Sequence, residues 1–584
     1  EFRIDTGDID VYIGPDDSRQ SNILNYDNLS LKLGGTYYLE DHELSFGYER
    51  EELDVYNLFV QHSEGEYRFG SIEDFENGIA RIYYGNASSQ NPDDAAGEFA
   101  YALNTVYFQD KFELIDYDIT ITAGLRYDWY TSSDKPTHNQ NFEDRYGFSN
   151  SQNLDGIDLL QPRLGINWIY NDQLELRGGL GLYSGGNPNV WVSNSYSNDG
   201  VRNIQINERG LQILGDDAIA FNGSGMPGYD IPQSLYDEVG QGGADASVNV
   251  TDPYFEIPSE WKFSLGGTYI TSNDYVFNVD YLYTDKQDSA IISNIANVQS
   301  DTAPDGRPVY NDVLHPRTSD FMLTNVKGSD AYSHVLSLSM NKAFDNGIDL
   351  ALSYAYTVAK DVSPMTSSVA FSNYHQIAVA DSENPGVTTS NYEIPHRFTL
   401  SLGYSHEIFD GYETKFNLFG QAQQTNPYSY TFDRDSSGLG YNDASRQLLY
   451  IPEVDDPSVV YGPGFDQTAF NNWIKSEGLE RGEIQERNNI DGDWWVTFDL
   501  KVEQEFMGFT PDQKGTAYFV IKNIGNLIND DWGVLKSGSS LQSAVTAELV
   551  DGQYVYNSFN DPAGASVQTE PSLWEMRLGV RYTF

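Results

Sequence analysis

The sequence predicts an all-β protein: a transmembrane antiparallel up-and-down β-barrel of about 16 strands, spread over residues 1–584, with long extracellular loops. Three observations predict it. Apolar and polar residues alternate with a period of two over segments longer than soluble strands. Short and long links between those segments alternate strictly. The composition is hydrophilic and acidic, with 87 Asp and Glu against 34 Lys and Arg, yet it carries 42 Tyr, 30 Phe, 9 Trp and 52 Gly in 584 residues. Such a chain has a wet side, an apolar side and long polar connections.

The alternation can be read segment by segment. Ile119, Ile121, Ala123, Leu125, Tyr127 and Trp129 oppose Asp118, Thr120, Thr122, Gly124, Arg126 and Asp128. Ile348, Leu350, Leu352, Tyr354 and Tyr356 oppose Asp349, Ala351, Ser353 and Ala355. Phe398, Leu400, Leu402 and Tyr404 oppose Arg397, Thr399, Ser401 and Gly403. Val496, Phe498, Leu500 and Val502 oppose Thr497, Asp499, Lys501 and Glu503. At the C-terminus Trp574, Met576, Leu578, Val580, Tyr582 and Phe584 oppose Glu575, Arg577, Gly579, Arg581 and Thr583. Successive strand side chains point to opposite faces, so each segment has one apolar and one polar face. The segments run about 10 to 14 residues, where soluble strands average about 5 to 6. Twelve residues at roughly 3.3 Å each, tilted about 40°, cross a hydrocarbon layer.

Short links fall at 39–43, 112–117, 171–173, 271–274, 343–347, 407–412 and 507–514. Long polar links fall at 62–96, 131–159, 184–259, 287–330, 361–395, 425–493 and 523–571. Tight turns at one rim and large loops at the other are the pattern of a membrane barrel. Phe2–Ile13 is read as an opening strand. No composition break marks a second domain.

The formal charge of −53 excludes nucleic acid as a partner, because a phosphate backbone needs a basic surface. The absence of cysteine excludes disulfide scaffolds, thiolate nucleophiles and Cys-ligated metal centres. Runs of consecutive apolar residues reach only Phe99–Leu103 and Ala517–Ile521, far from the ~20 a spanning helix needs. The eight histidines form no HExxH pattern, and no GxSxG elbow, P-loop or GxGxxG fingerprint is present, so the chain is not read as an enzyme. Lipid-facing strand positions carry almost none of the charge. Much of the acid therefore belongs to the long loops and the lumen side, where divalent cations can bridge it to lipopolysaccharide, where it can keep the loops soluble in high salt, or where it can meet a cationic ligand.

Gly47–Gln61 (GYEREELDVYNLFVQ), Gly65–Gly78 (GEYRFGSIEDFENG), Tyr107–Leu114, Thr122–Asp128, Gln161–Trp168, Leu180–Gly200, Asp305–Tyr310 and His396–Tyr404 occur in an order that resembles the C-terminal barrel portion of TonB-dependent outer-membrane receptors, particularly the Oar-like group. The ending Arg577–Phe584, with aromatic Phe584 last and Tyr582 two residues before it, resembles the terminal signal that the barrel-assembly machinery reads in outer-membrane barrels. The resemblance implies a 22-stranded barrel in a Gram-negative outer membrane, a plug inside it, and import of a ligand with energy from the TonB–ExbB–ExbD complex. The expectation is that Glu1 lies inside such a barrel, with the plug and the first six strands upstream. The rival readings are a complete 16-stranded passive porin and an adhesin or secretion-assisting barrel.

Two candidate sites stand out. The aromatic and amide side chains of 187–198, above all Trp191 and Tyr196, are candidate ligand contacts, against the alternative that they pack loop on loop. Asp433, Asp435 and Ser437 fall at positions 1, 3 and 5 of a calcium-loop pattern with Gly438 at position 6. Position 12 is Ala444, so Asp443 or Asn442 would have to replace the usual bidentate Glu. The other reading is a solvated acidic turn.

Overall fold

The structure, a computed structural model, describes residues 1–583 except 8, 187, 243, 244, 317, 329, 441, 442, 511, 512 and 563. Fifteen long strands form one unbroken antiparallel path. They are β1 (Ser21–Leu39), β2 (His42–Val60), β3 (Gly97–Leu114), β4 (Ile119–Thr131), β5 (Asp158–Asn171), β6 (Leu174–Ser184), β7 (Ser259–Ile270), β8 (Val276–Gln287), β9 (Tyr332–Ala343), β10 (Ile348–Asp361), β11 (His396–Phe409), β12 (Tyr412–Gln424), β13 (Trp494–Met507), β14 (Lys514–Lys522) and β15 (Glu575–Thr583). The two-residue strand Thr388–Thr389 pairs with the loop end of β10 and brings the sheet to 16 strands. All seven expected tight turns and all seven long loops are present.

Tight-turn chemistry explains the sharp rim. Between β9 and β10, Gly347 has φ +83°, and a Cβ there would meet the Ser405 carbonyl oxygen at 2.2 Å. Only glycine fits that turn.

Register carries the period-two pattern around the sheet. One row pairs Tyr269, Phe277, Met340, Leu352, Leu400, Gly420 and Phe498 across β7 to β13. The adjacent row, one residue along each strand, pairs Thr268, Asn278, Ser339, Ser353, Thr399, Gln421 and Thr497. The first row is the lipid face and the second the lumen face, as a membrane barrel requires. Among the described residues no ladder joins β1 to β15, so the sheet is open with two free edges.

The opening strand is β1, not Phe2–Ile13. That segment folds back on itself as a hairpin of Phe2–Asp5 and Asp10–Ile13, with Phe2 opposite Ile13 and Asp5 opposite Asp10. A turn closes it: the Thr6 N–H and hydroxyl both donate to the Ile9 carbonyl, at 3.1 and 2.7 Å. Four residues per arm are too few to cross a bilayer. The hairpin instead joins a loop sheet with Glu66–Phe69, Ile79–Asn86 and Ile204–Gln212.

The buried apolar core lies mostly in the loops, not in the strands. The largest cluster unites Ala303 and Val309 with Phe432, Leu449, Ile451, Phe470, Trp473, Val545, Tyr554 and Tyr556, drawn from three separate loops. Ser429–Phe432, Leu541–Val550, Gln553–Phe559 and Val459–Tyr461 form its four-stranded sheet. Helix Gln467–Glu477 contributes Phe470 and Trp473; Asp466 caps it by accepting from the Ala469 N–H at 2.9 Å, and Gly478 ends it in the left-handed conformation. Lipid-face side chains touch mainly their cross-strand neighbours, as Tyr354 does Phe398 at 4.6 Å between ring centroids, so a closed protein core forms only in the loops.

Candidate ligand-binding site

The loop ends of β1, β2 and β3 present Asn22, Tyr26, Asn28, Leu53, Val55, Asn57, Phe99 and Tyr101 on the lumen face. Helix Asn189–Ser197 and residues 367–372 roof this wall, and together they line a partly open cavity of about 910 Å³. The helix splits by face. Val192 and Tyr196, four residues apart, enter the rim core with Val55, Phe99 and Tyr101. Val190, Ser193, Asn194 and Ser197 line the cavity.

Hydrogen bonds hold the roof. Asn57 Nδ2 donates to Ser193 Oγ at 2.8 Å, which ties the helix to β2. Asn194 Nδ2 donates to the Ser368 carbonyl at 2.7 Å, and its Oδ1 accepts from the Ala370 N–H at 3.2 Å. One amide thus stitches two loops that lie far apart in sequence. The wall it covers is amphipathic, with aromatic rings, amides and hydroxyls close together. Such a lining suits a ligand with both apolar and hydrogen-bonding groups.

Nearer the turn rim the lumen wall becomes a charged ladder. Lys32 pairs with Glu49, and Arg126 reaches Glu49 at 3.3 Å and Asp128 at 2.9 Å. Asp128 also accepts from Thr105 Oγ1 and Gln161 Nε2, both at 2.6 Å. Register places all of these on the lumen face.

Tyr196 is 2% exposed; its ring stacks on Phe99 at 4.2 Å, and its hydroxyl donates to the Asp134 carbonyl at 2.9 Å. Burial, with the Asp134 charge added, raises its pKa and keeps it protonated. Trp191 is half-buried against the same core. Both aromatics therefore hold the roof, and the polar positions beside them face the cavity. Asn187 lies outside the described residues.

The calcium-loop residues spread over two environments. Asp433 Oδ1 accepts from the Asp435 N–H at 3.0 Å, and Asp435 is exposed. Ser437 donates its N–H to the Ala547 carbonyl at 2.9 Å. Asp443 is buried, accepts from Ser382 Oγ and, at 2.9 Å, from Gln447 Nε2, and faces Arg446 at 3.6 Å. Asp433, Asp435 and Asp443 do not converge as a set of carboxylate ligands among the described residues. Asn442 and Phe584 lie outside the described residues. Tyr582 donates its hydroxyl to Gln513 Oε1 and accepts from the Phe509 N–H, both at 2.7 Å, at the turn rim.

Sequence reasoning included Asn194 among the amides of 187–198 and missed Asn57 and Ser368. The polar face of the 189–197 helix was a readable signal for Asn194. Nothing in the linear sequence joins it to Ser368.

Residues 4–514 match the family model for the outer membrane beta barrel domain. The chain belongs to that family. The alternating faces and single rim of tight turns are how an outer membrane beta barrel domain meets the Gram-negative outer membrane. No curated relative matches the chain in sequence. Among solved structures, it is similar to the outer membrane transporter YddB from Escherichia coli, with 12% identity and a TM-score of 0.48 over 96% of this chain and 55% of that one. It is also similar to a variant of the ferric enterobactin receptor PfeA from Pseudomonas aeruginosa in complex with enterobactin, with 10% identity and a TM-score of 0.44 over 96% of this chain and 54% of that one. The FrpB iron transporter from Neisseria meningitidis (F5-1 variant) has 11% identity and a TM-score of 0.44 over 96% of this chain and 56% of that one. The chain thus spans about half the length of these structures.

Proposed function

We propose that this chain is the barrel portion of an Oar-like, TonB-dependent receptor that binds a ligand at the cell surface and imports it. The observation that carries the reading is the roofed lumen cavity under helix Asn189–Ser197. A passive porin needs an open, wet path, whereas this wall is covered by an ordered roof tied to β2 through Asn57. A plug from residues outside this sequence completes the gate, and TonB–ExbB–ExbD drives its opening. The barrel binds and passes cargo without covalent chemistry. The charged ladder from Lys32 to Gln161 is the surface on which such a plug rests. Lipopolysaccharide surrounds the lipid face, and the barrel-assembly machinery inserts the chain through its C-terminal strand.

Planar-bilayer recording on the full-length purified protein tests the reading. The expected result is no steady conductance until the protein is loosened with denaturant. Large, steady conductance from the untreated protein points instead to the porin.

A further inference from the structure

A second cluster lies outside the cavity, where the N-terminal segment meets the loop end of β2. Asp17, His62 and Glu66 bring three donor atoms within 4.8 Å of one another. His62 Nδ1 is 3.4 Å from Glu66 Oε2 and 3.7 Å from Asp17 Oδ2. Glu66 is 1% exposed, and neither its Oε2 nor His62 Nδ1 has a hydrogen-bond partner. A buried carboxylate oxygen left unpaired costs free energy unless a ligand meets it.

The spacing fits a small ion. Two donors bound at about 2.05 Å with a tetrahedral angle sit roughly 3.3 Å apart. The donor set, one imidazole nitrogen and two carboxylate oxygens, suits a first-row divalent transition ion rather than calcium, which takes oxygen alone. The frame is already built. The His62 N–H donates to the Asp17 carbonyl at 3.0 Å, and the His62 carbonyl accepts from the Gly65 and Gly85 N–H groups at 3.0 and 3.2 Å. Arg68 donates to the other Glu66 oxygen, Oε1, at 2.5 Å and lies 3.9 Å from Asp17 Oδ2. It orients the carboxylates as an outer partner of a metal ligand does and leaves Oε2 aimed inward. Asp17 keeps the site in contact with water, its side chain being 27% exposed.

We propose that Asp17, His62 and Glu66 bind a divalent transition-metal ion of the zinc type, with water in the remaining position, pinning the N-terminal segment to the loop end of the first hairpin.

The test uses the full-length protein in detergent, stripped with a chelator and titrated with Zn2+ alone, Ca2+ alone and Co2+ alone. The expected result is one tight Zn2+ per chain, visible d–d bands from Co2+, and no Ca2+ binding that competes. His62→Ala should weaken Zn2+ at least tenfold and abolish the Co2+ bands. Asp17→Asn, at the exposed edge of the cluster, should also weaken Zn2+ about tenfold with an unchanged circular dichroism spectrum, which separates loss of a ligand from loss of fold. Unchanged Zn2+ binding and Co2+ bands in both variants, or Ca2+ displacing Zn2+ at equal concentration, would overturn the assignment.

Discussion

At the scale of single residues, Leu400 and Ser401 are chain neighbours with opposite surroundings. Leu400 pairs with Leu352 and Gly420 in the apolar row, while Ser401 pairs with Ala351 and Phe419 on the lumen face. An arginine at mid-membrane on the lipid face costs about 2–4 kcal/mol, and a lumen position tolerates it. Leu400→Arg should therefore lower the stability of the protein in lipid vesicles by that amount, and Ser401→Arg by much less. Equal urea midpoints for the two variants would defeat the facing assignment. In the loops, Asp312 provides a pH-dependent counterpart. It is buried, its Oδ1 accepts from Asn294 Nδ2 at 2.9 Å, and its Oδ2 has no partner. Burial raises its pKa to about 6. A carboxyl whose folded pKa lies above its unfolded value of 3.8 favours folding fully below that value, and the benefit is lost as pH rises through 6. The loop unit should thus become less stable between pH 4 and pH 6. Asp312→Asn should flatten that slope, as read from thermal melts in near-ultraviolet circular dichroism.

At the scale of elements, the loop unit around Phe432 and Trp473 is a small globular core standing on a membrane sheet. Trp473 packs on Tyr430 and Phe470 at 4.7 and 5.8 Å. Removing a buried aromatic of this kind costs about 3–5 kcal/mol. Trp473→Ala should melt the loop unit, exposing 425–493 to protease, while the strands keep their far-ultraviolet spectrum. Concerted loss of both would show that the loops and the sheet fold as one. The elements differ in how readable they were. The tight turns were legible because each interrupts a long period-two run with polar or glycine residues, as at Gly347. The reading failed at Phe2–Ile13, where Phe2 and Ile4 are out of phase with Val11 and Ile13 and the Thr6 turn makes two arms of the segment. The loop core was illegible because its members share no period. Phe470 and Trp473 sit on a short helix, Phe432 and Tyr554 on short strands, and only the tertiary fold brings them together. The Asp17–His62–Glu66 cluster was hidden for the same reason, since its first member is far from the other two in sequence. The candidate ligand site was half legible: 187–198 contains the helix that lines the cavity, yet Tyr196 stands out in sequence for the bulk that buries it.

At the scale of the whole molecule, the sheet has two free edges. Among the described residues β1 and β15 each have one side without a partner strand, and the bilayer core offers water to neither. Such edges are satisfied only by pairing with each other or with further strands. Among the described residues β1 and β15 share no ladder, whereas each other pair of neighbours in the path is hydrogen-bonded; under the proposed reading, further strands meet these two edges. Cysteine pairs make the choice measurable. Leu31 of β1 and Val580 of β15 are both exposed on the apolar face, and residues 1–584 contain no cysteine to interfere. In the full-length protein in the outer membrane, Leu31→Cys with Val580→Cys should give no cross-link under oxidation, because strands about 4.8 Å apart would intervene. As a positive control, Leu352→Cys with Leu400→Cys, partners across β10 and β11, should cross-link readily. An efficient Leu31–Val580 cross-link would mean that the sheet closes on itself. It would remove the reason to place a plug and further strands around this lumen, and would turn the function toward a passive pore.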